Sequence, residues 1–542
     1  MRILSVHHGH DTSLCVYNDG EIETFLLSER LSKIKHDDDA NIILNQLSNF
    51  NKNPINIKVE SNFDEHHHIH HAAIAFYNSG FEESLVVVAD GAGAHINTLS
   101  ENIKYIELET IYFAKYPDIF IPLYKNFNPV PKGEDSFLKL IEQSLPFDIE
   151  ELKEFFYRKD CDNETLKEKL NFEYNCSGWG ISASYTDGVE LLGGKNFEKT
   201  LISHNAGKSM GLSSYGKRIP NFPKFIEDSL VKEVPRINYP IKRVSEVTKE
   251  NYQPIADYCL EVQLQTQNGM CSLIEKAFSK VQCENICISG GYGMNVVANH
   301  YYLKQFPNLN FHFEPLCDDG GQSIGQAMLY YRKMTKDKKI YPLQTTAFHG
   351  KNSSRYEVPK YSGEIAPIKK IAEILSNNKS VAVYDGFPES GRRALGNRSI
   401  LFNPLNPNAK ELVNLIKRRE WYRPFAAAVL EEDASMYFEM GKIQKSPFMT
   451  VSFPVKIDII PGVTHVDNTC RIQTVSDTNG YLYELLLEFK KITGHGILLN
   501  TSFNLSGKPL VDDAEDALKT FKESCLDYLW FAETGSLLDK SL

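Results

Sequence analysis

The sequence predicts a two-domain α/β protein, with residues 1–345 in one domain and 346–542 in the other. Three observations carry that prediction. Short apolar strands that end on Asp-Gly or Gly-Gly turns and run into helices recur through the front of the chain. A polar stretch punctuated by Pro and Gly, from about 334 to 365, separates them from a second α/β pattern. The chain of 542 residues is also too long for one ordinary hydrophobic core.

RILSVHH and SLCVY alternate as strands, turn at Asn18-Asp19-Gly20 and resume as EIETFLL, a β-hairpin that begins at residue 2. The loop HHGHDTS between the first two places amides and small hydroxyls where a phosphate could lie. His10 and Asp11 are within reach of a reacting group there, although a polar strand connection explains the same residues equally well. EHHHIHHAAIAF then sets five of the sixteen histidines at positions 66–71, ahead of a helix-forming apolar run. Side chains four apart overlie one another on a helix, so His66/His70 and His67/His71 are both pairs able to grip a metal ion. Spacing alone does not choose between them.

SLVVVADGAGAHI ends an apolar strand at Asp90-Gly91, a common place for a metal or phosphate ligand, though a lone Asp-Gly is more often only a turn. Residues 101–175, rich in Lys, Glu, Phe and Asn, are expected to form helices and loops over the core and carry no legible chemistry. NICISGGYGMNVVANHYYLKQF reads as a strand, a turn at Gly290-Gly291 and a helix with Asn295 in its first turn. That arrangement lets the backbone approach a nucleotide. EPLCDDGGQSIGQA sets Asp318 and Asp319 before a further helix, where negative charge can also simply stabilise the N-terminus.

Hydrophobic residues make up 42% of the chain and charged residues 24%, the composition of a soluble globular enzyme rather than a disordered or fibrous chain. A net charge of −11 argues against a general polyanion binder, and tRNA or other nucleic acid is not an expected partner. No window suits a membrane span or a signal peptide, so the expected location is the cytoplasm. Ten scattered cysteines read as reduced thiols, and Cys283/Cys287 have no second pair to complete a zinc site. Against the negative total, SGRRALGNRS, KRREWYRP and CRIQ gather Arg392, Arg393, Arg398, Lys417, Arg418, Arg419, Arg423 and Arg471. Guanidinium forks match phosphate oxygens two at a time, and this many cations among Gly, Pro and aromatics point to an anion grip.

Nine blocks in order, GHDTSLCVYNDGEI, SERLSKIKHD, HHHIHHAAIAFYNSGF, AGKSMGLSSYG, ISGGYGMNVVAN, SGRRALGNRSIL, REWYRPFAAAVL, THVDNTCRIQTV and LLNTSFNLSGKPLV, resemble the O-carbamoyltransferases of nodulation-factor, cephem and aminoglycoside biosynthesis. The resemblance covers most of the chain and is weak over 101–175. It implies an actin/sugar-kinase/Hsp70-like domain, a duplicated ribonuclease H-like fold, followed by a YrdC-like domain. It also implies a metal held by His67, His71, Asp90 and Asp319: Fe(II), or Zn or Mn in its place. His66 stands where the family commonly has Asp, which keeps the alternative histidine register open. Gly290, Gly291 and Asn295 match the nucleotide-facing glycine turn. Arg392, Lys417, Arg423, Arg471, Asn500, Ser502 and Asn504 match ligands of ATP and carbamoyl phosphate, with Mg accompanying the nucleotide. Ser506 replaces a common Arg.

The activity so implied is ATP-dependent carbamoyl transfer from carbamoyl phosphate, through carbamoyl-AMP, to a hydroxyl of a small natural product in secondary metabolism such as antibiotic biosynthesis. His10 would take the hydroxyl proton, Asp11 would orient it and Lys35 would stabilise charge. A labile adenylate requires an enclosed passage to the second reaction. A homodimer is the expected assembly. Rival readings are a tRNA-modifying enzyme of the threonylcarbamoyladenosine type and a nucleotide or metal sensor without activity. A metalloprotease is disfavoured, because the glutamate of HExxH is absent.

Overall fold

A computed structural model of the chain describes residues 1–50, 54–62, 66–97, 103–131, 173–176, 180–182, 206–232, 247–341, 348 and 364–541. Two compact units emerge, one formed by Met1–Glu23 with Asn51–Gln344 and the other by Thr24–Phe50 with Thr345–Leu542. Both are mixed α/β, as the sequence pattern requires.

The chain opens on a four-stranded sheet in the order Glu21–Leu27, Ser13–Asn18, Arg2–His7, Ile57–Ser61. Arg2–His7 runs antiparallel to Ser13–Asn18 and parallel to Ile57–Ser61. The turn into the third strand has φ of 46° at Asp19 and 97° at Gly20, the left-handed conformations that the Asn-Asp-Gly sequence supplies at little cost. The larger sheet of the first unit has seven strands. Asn310–Phe313, at one edge, Asn285–Ser289 and Glu83–Ala89 lie parallel in that order, and strand Ile103–Lys115 adds antiparallel to Glu83–Ala89. Leu85–Ala89 are fully buried, as a strand covered on both faces must be.

Residues 103–131 depart from the helices and loops expected there. They form two 13-residue antiparallel strands, Ile103–Lys115 and Ile119–Pro131. Ile106 and Leu108 alternate with Glu107 and Glu109 at the period of two that marks a strand, disguised because Glu107, Glu109 and Lys125 lie buried within the sheet. The rest of that stretch, apart from the short strand Glu173–Cys176, lies outside the described residues.

The second unit is built on a nine-stranded sheet whose central strands are Val381–Tyr384, Arg398–Phe402, Ile497–Ser502 and Ala426–Leu430. Alternate residues divide between its two faces. Val381, Val383, Leu401 and Trp530 pack with helices Ile368–Ser376 and Tyr481–Thr493, while Ala382, Tyr384, Ile400 and Phe531 pack with helix Ala514–Glu523. Eight cysteines among the described residues are unpaired, seven of them buried. No helix among the described residues is long and apolar enough to cross a membrane.

Candidate active site

In the first unit the histidine run opens helix His67–Ser79, buried from His67 through Asn78. His67 and His71 share one face with ring centroids 5.0 Å apart. Two carboxylates meet them. Asp90 follows strand Glu83–Ala89, and Asp319 precedes helix Gln322–Thr335. His67 Nε2 lies 3.3 Å from Asp90 Oδ2 and 3.5 Å from Asp319 Oδ1. For His71 Nε2 the corresponding distances are 3.7 and 3.3 Å.

Glycines make this convergence possible. Gly290 has φ of 81°, and a Cβ there would fall 2.3 Å from the Ala89 carbonyl oxygen. The close approach lets the Gly291 amide donate to Asp90 Oδ1 at 3.0 Å, which leaves Oδ2 to face the imidazoles. A Cβ at Gly325 would fall 2.1 Å from the His70 carbonyl, so that glycine lets helix Gln322–Thr335, which follows Asp319, lie directly on the histidine helix.

Burial alone would lower the His67 pKa, but its hydrogen bonds to Asp319 and Asp90 outweigh it and raise the imidazole to about 10. The same carboxylates raise His71. Burial works against ionisation of Asp90 and Asp319 as well, yet the two imidazoles hold both acids below the usual carboxylate range. A proton or another cation is therefore favoured between these groups.

The donor set suits a divalent metal. His71 Nε2 stands near both carboxylates without a well-formed hydrogen bond to either, as expected where four ligand atoms aim at one point. Spacings of 3.3–3.7 Å are those of donors around an ion bound at roughly 2.0–2.2 Å. Two imidazoles and two carboxylates accommodate Fe(II), Zn(II) or Mn(II). Among the described residues, His66 and His70, the other register, are not in a group that converges with carboxylates.

His68 turns toward a network that the sequence reading did not anticipate. Its Nδ1 is 2.9 Å from Thr110 Oγ1, Thr110 donates to Glu107 at 2.7 Å, and Lys125 donates to the same carboxylate oxygen at 2.7 Å. All four side chains are fully buried. Burial raises the Glu107 pKa, but His68 and Lys125 outweigh it and bring the carboxyl down to about 2.

His10 and Asp11 form a pair at 3.0 Å, with His10 half-exposed and Asp11 buried. Lys35 is half-buried in the Thr24–Phe50 segment and so belongs to the second unit. Asn295 caps helix Val296–Gln305 by accepting from the Ala298 amide at 3.1 Å, and its amide donates to Gln263 at 3.0 Å.

In the second unit, Lys417 is the centre of a cationic cluster. It is 3% exposed, and its ammonium donates to the Ser502 carbonyl and hydroxyl and to both oxygens of Asn504. Burial, with Arg419 and Arg423 nearby, holds it well below the usual lysine range. Arg419 is disfavoured as a cation by burial and by Arg423 and Arg471, and Arg471 by burial and by Arg393 and Arg423. Glu420 stands 3.7 Å from Arg423. Across the sheet Ala426 pairs with both Asn500 and Arg471, so those residues share one row. Asn500 donates to Gln473 Oε1 at 3.0 Å.

Arg398 and Arg418, of the same charged blocks, serve other partners. Arg398 is fully buried, donates to the carbonyls of Asp385, Gly386, Asn397 and Asp512, and stacks 3.6 Å over the Tyr384 ring. It is a strut of the sheet. Arg418 is exposed and donates to the Glu523 carbonyl. Arg393 and Arg419, counted in the charged blocks without a ligand role, do lie in the cluster.

One unit thus holds four side chains able to bind a divalent metal, and the other holds a crowded group of cationic side chains. Residues 372–536 match the family described as Carbamoyltransferase C-terminus. The chain is 27% identical to an uncharacterized protein of Synechocystis sp., over 86% of this chain and 74% of that one. It is 28% identical to nodulation protein NolNO of Sinorhizobium fredii, over 85% of this chain and 62% of that protein. Nodulation protein NolO of Bradyrhizobium diazoefficiens is 33% identical over 45% of this chain and 47% of its own. A solved structure of full-length HypF in the phosphate- and nucleotide-bound form aligns at a TM-score of 0.40 with 16% identity, covering 62% of this chain and 56% of that one, too low a score to bear on the fold. Residues 372–536 of the second unit thus carry the carbamoyltransferase C-terminal domain, and the chain is similar over most of its length to nodulation protein NolNO.

Proposed function

We propose that the protein is an ATP-dependent O-carbamoyltransferase that uses carbamoyl phosphate to carbamoylate a hydroxyl of a small natural product. The observation that carries this reading is the cationic cluster of Lys417, Arg419, Arg423 and Arg471 within a carbamoyltransferase C-terminal domain. Cations this crowded repel one another and are costly to desolvate, so they favour a polyanion that neutralises them together. ATP and carbamoyl phosphate, with Mg on the nucleotide, are anions of that kind.

On this reading the second unit, YrdC-like in fold over residues 346–542, hydrolyses carbamoyl phosphate to phosphate and carbamate. A carbamate oxygen attacks the α-phosphorus of ATP, the bond to the β-phosphate breaks, and carbamoyl-AMP and pyrophosphate result. Lys417 and the arginines match the charge spread over the phosphoryl oxygens. In the first unit, actin-like in fold, the acceptor hydroxyl attacks the carbamoyl carbonyl and AMP leaves. His10 takes the hydroxyl proton, and Asp11, 3.0 Å from its Nδ1, orients the ring and stabilises the imidazolium. A divalent ion held by His67, His71, Asp90 and Asp319, with iron the family's choice, would supply Lewis-acid polarisation.

Pyrophosphate exchange into ATP tests the first half-reaction without knowledge of the acceptor. Exchange that depends on carbamoyl phosphate is expected; its absence from protein loaded with Mg and the divalent metal would refute the reading.

A further inference from the structure

The segment Thr24–Phe50 lies near the start of the chain yet packs with the second unit. It also lies outside residues 372–536, the region matched by the family model. Three of its side chains engage the elements around the cationic cluster. Arg30, 6% exposed, donates from Nη2 to the Gly391 carbonyl at 2.9 Å, across 361 positions of sequence. His36, held at φ of 58°, faces the Arg392 guanidinium at 2.9 and 3.1 Å. Lys33 pairs with Asp516 and lies 3.8 Å from Asp513, at the start of helix Ala514–Glu523. Glu29 ties these together, with Oε2 accepting from the His36 amide at 3.2 Å and Oε1 lying 3.4 Å from Arg30 Nε.

The loop they grip is fixed at its far end by other means. Glu389, 2% exposed, accepts on one carboxylate oxygen from the amides of Leu395, Asn397 and Arg398 at 2.7, 2.9 and 3.2 Å. Over Gly391 and Arg392, Arg30 and His36 do the holding. A guanidinium taken out of water to bond a carbonyl gives a charge-assisted bond, stronger than a neutral one and costly to break once buried.

We propose that Arg30 is a positioning residue for the anion site of the second unit. With Glu29 and His36 it fixes Gly391 and Arg392, so that the guanidinium groups of Arg392 and Arg393 meet the nucleotide phosphates in one arrangement. The inference rests on the carbamoyl-adenylate reading. It makes an N-terminal segment a working part of the C-terminal reaction centre.

The test is the carbamoyl phosphate-dependent exchange reaction of the full-length chain, with Arg30→Met and Arg30→Lys compared with the parent. Loss of the charge-assisted bond should raise the KM for ATP about tenfold in R30M with kcat changed far less, and R30K, which keeps a cationic donor, should fall between R30M and the parent. A parental KM in both variants, or a fall in kcat alone that tracks a lowered melting temperature, would overturn the proposal. If R30M does not fold, R30K decides: a raised KM supports the brace and an unchanged KM defeats it. If the parent itself shows no exchange, the carbamoyl-adenylate reading fails instead; ATP affinity measured by calorimetry on parent and R30K then decides the brace, weaker binding by R30K supporting it and equal binding defeating it.

Discussion

Lys125→Met removes one half of an ion pair that has no contact with solvent. Lys125 and Glu107 are both 0% exposed, and their charged atoms are 2.7 Å apart. The substitution keeps the length of the side chain but leaves Glu107, among the described residues, with Thr110 and His68 as partners. Breaking a buried pair in this way costs about 3–5 kcal/mol, because the surviving charge stays desolvated. The first unit should therefore melt on the order of 10 °C lower at neutral pH. In the parent, Glu107 has its pKa depressed to about 2, so its contribution is complete above the unfolded carboxyl range and is lost only as pH falls toward about 2. In the variant the carboxyl pKa should rise above its unfolded value. The folded state then takes up a proton more readily than the unfolded chain, so the deficit should shrink as pH falls from 8 toward 5. Adding Glu107→Gln, which neutralises the stranded carboxylate, should recover much of the loss. Thermal melts of the parent, the single and the double variant at several pH values make the measurement. A deficit that does not vary with pH and is not relieved by E107Q would refute a desolvated charge as its cause and point to packing.

Three further outcomes follow from the same geometry. Asp319→Asn or His71→Ala should lower the divalent metal content of purified protein at least tenfold, read by elemental analysis; unchanged content would remove these residues from the ligand set. Because His67 is raised to about 10, metal uptake near pH 8 must displace protons, so a weakly buffered titration with Zn(II) or Mn(II) should release acid, and uptake without proton release would contradict the protonated resting centre. Arg398→Lys should lower the melting temperature of the second unit, since it breaks bonds to buried carbonyls, while leaving the KM for ATP unchanged; a raised KM would return Arg398 to the nucleotide site.

Much of the candidate site was legible because its parts stand at strand ends and helix starts, where sequence patterns are strongest. Asp90 closes an apolar strand, Asp319 opens a helix, and the histidines lead into a helical run. Helical spacing fits His66/His70 as well as His67/His71, and only the positions of Asp90 and Asp319, distant in sequence, separate the two pairs. The hairpin 103–131 escaped because Glu107, Glu109 and Lys125 read as surface residues, and their burial depends on partners on other strands and helices. Arg398 escaped for a related reason: charge counts do not distinguish a guanidinium that binds carbonyls of its own fold from one that awaits a ligand. The packing of Thr24–Phe50 with the second unit leaves no local trace, since Arg30 and Gly391 meet only after both have folded.

On the proposed function, the cationic site of the second unit joins carbamate to AMP. Incubation of the protein with ATP, Mg and carbamoyl phosphate in the absence of any acceptor, followed by rapid quenching and mass spectrometry, tests it directly. Carbamoyl-AMP and an equal amount of pyrophosphate should appear with the parent protein and be lost in Lys417→Met. ATP left intact, or cleaved to ADP at a rate indifferent to carbamoyl phosphate, would contradict the account.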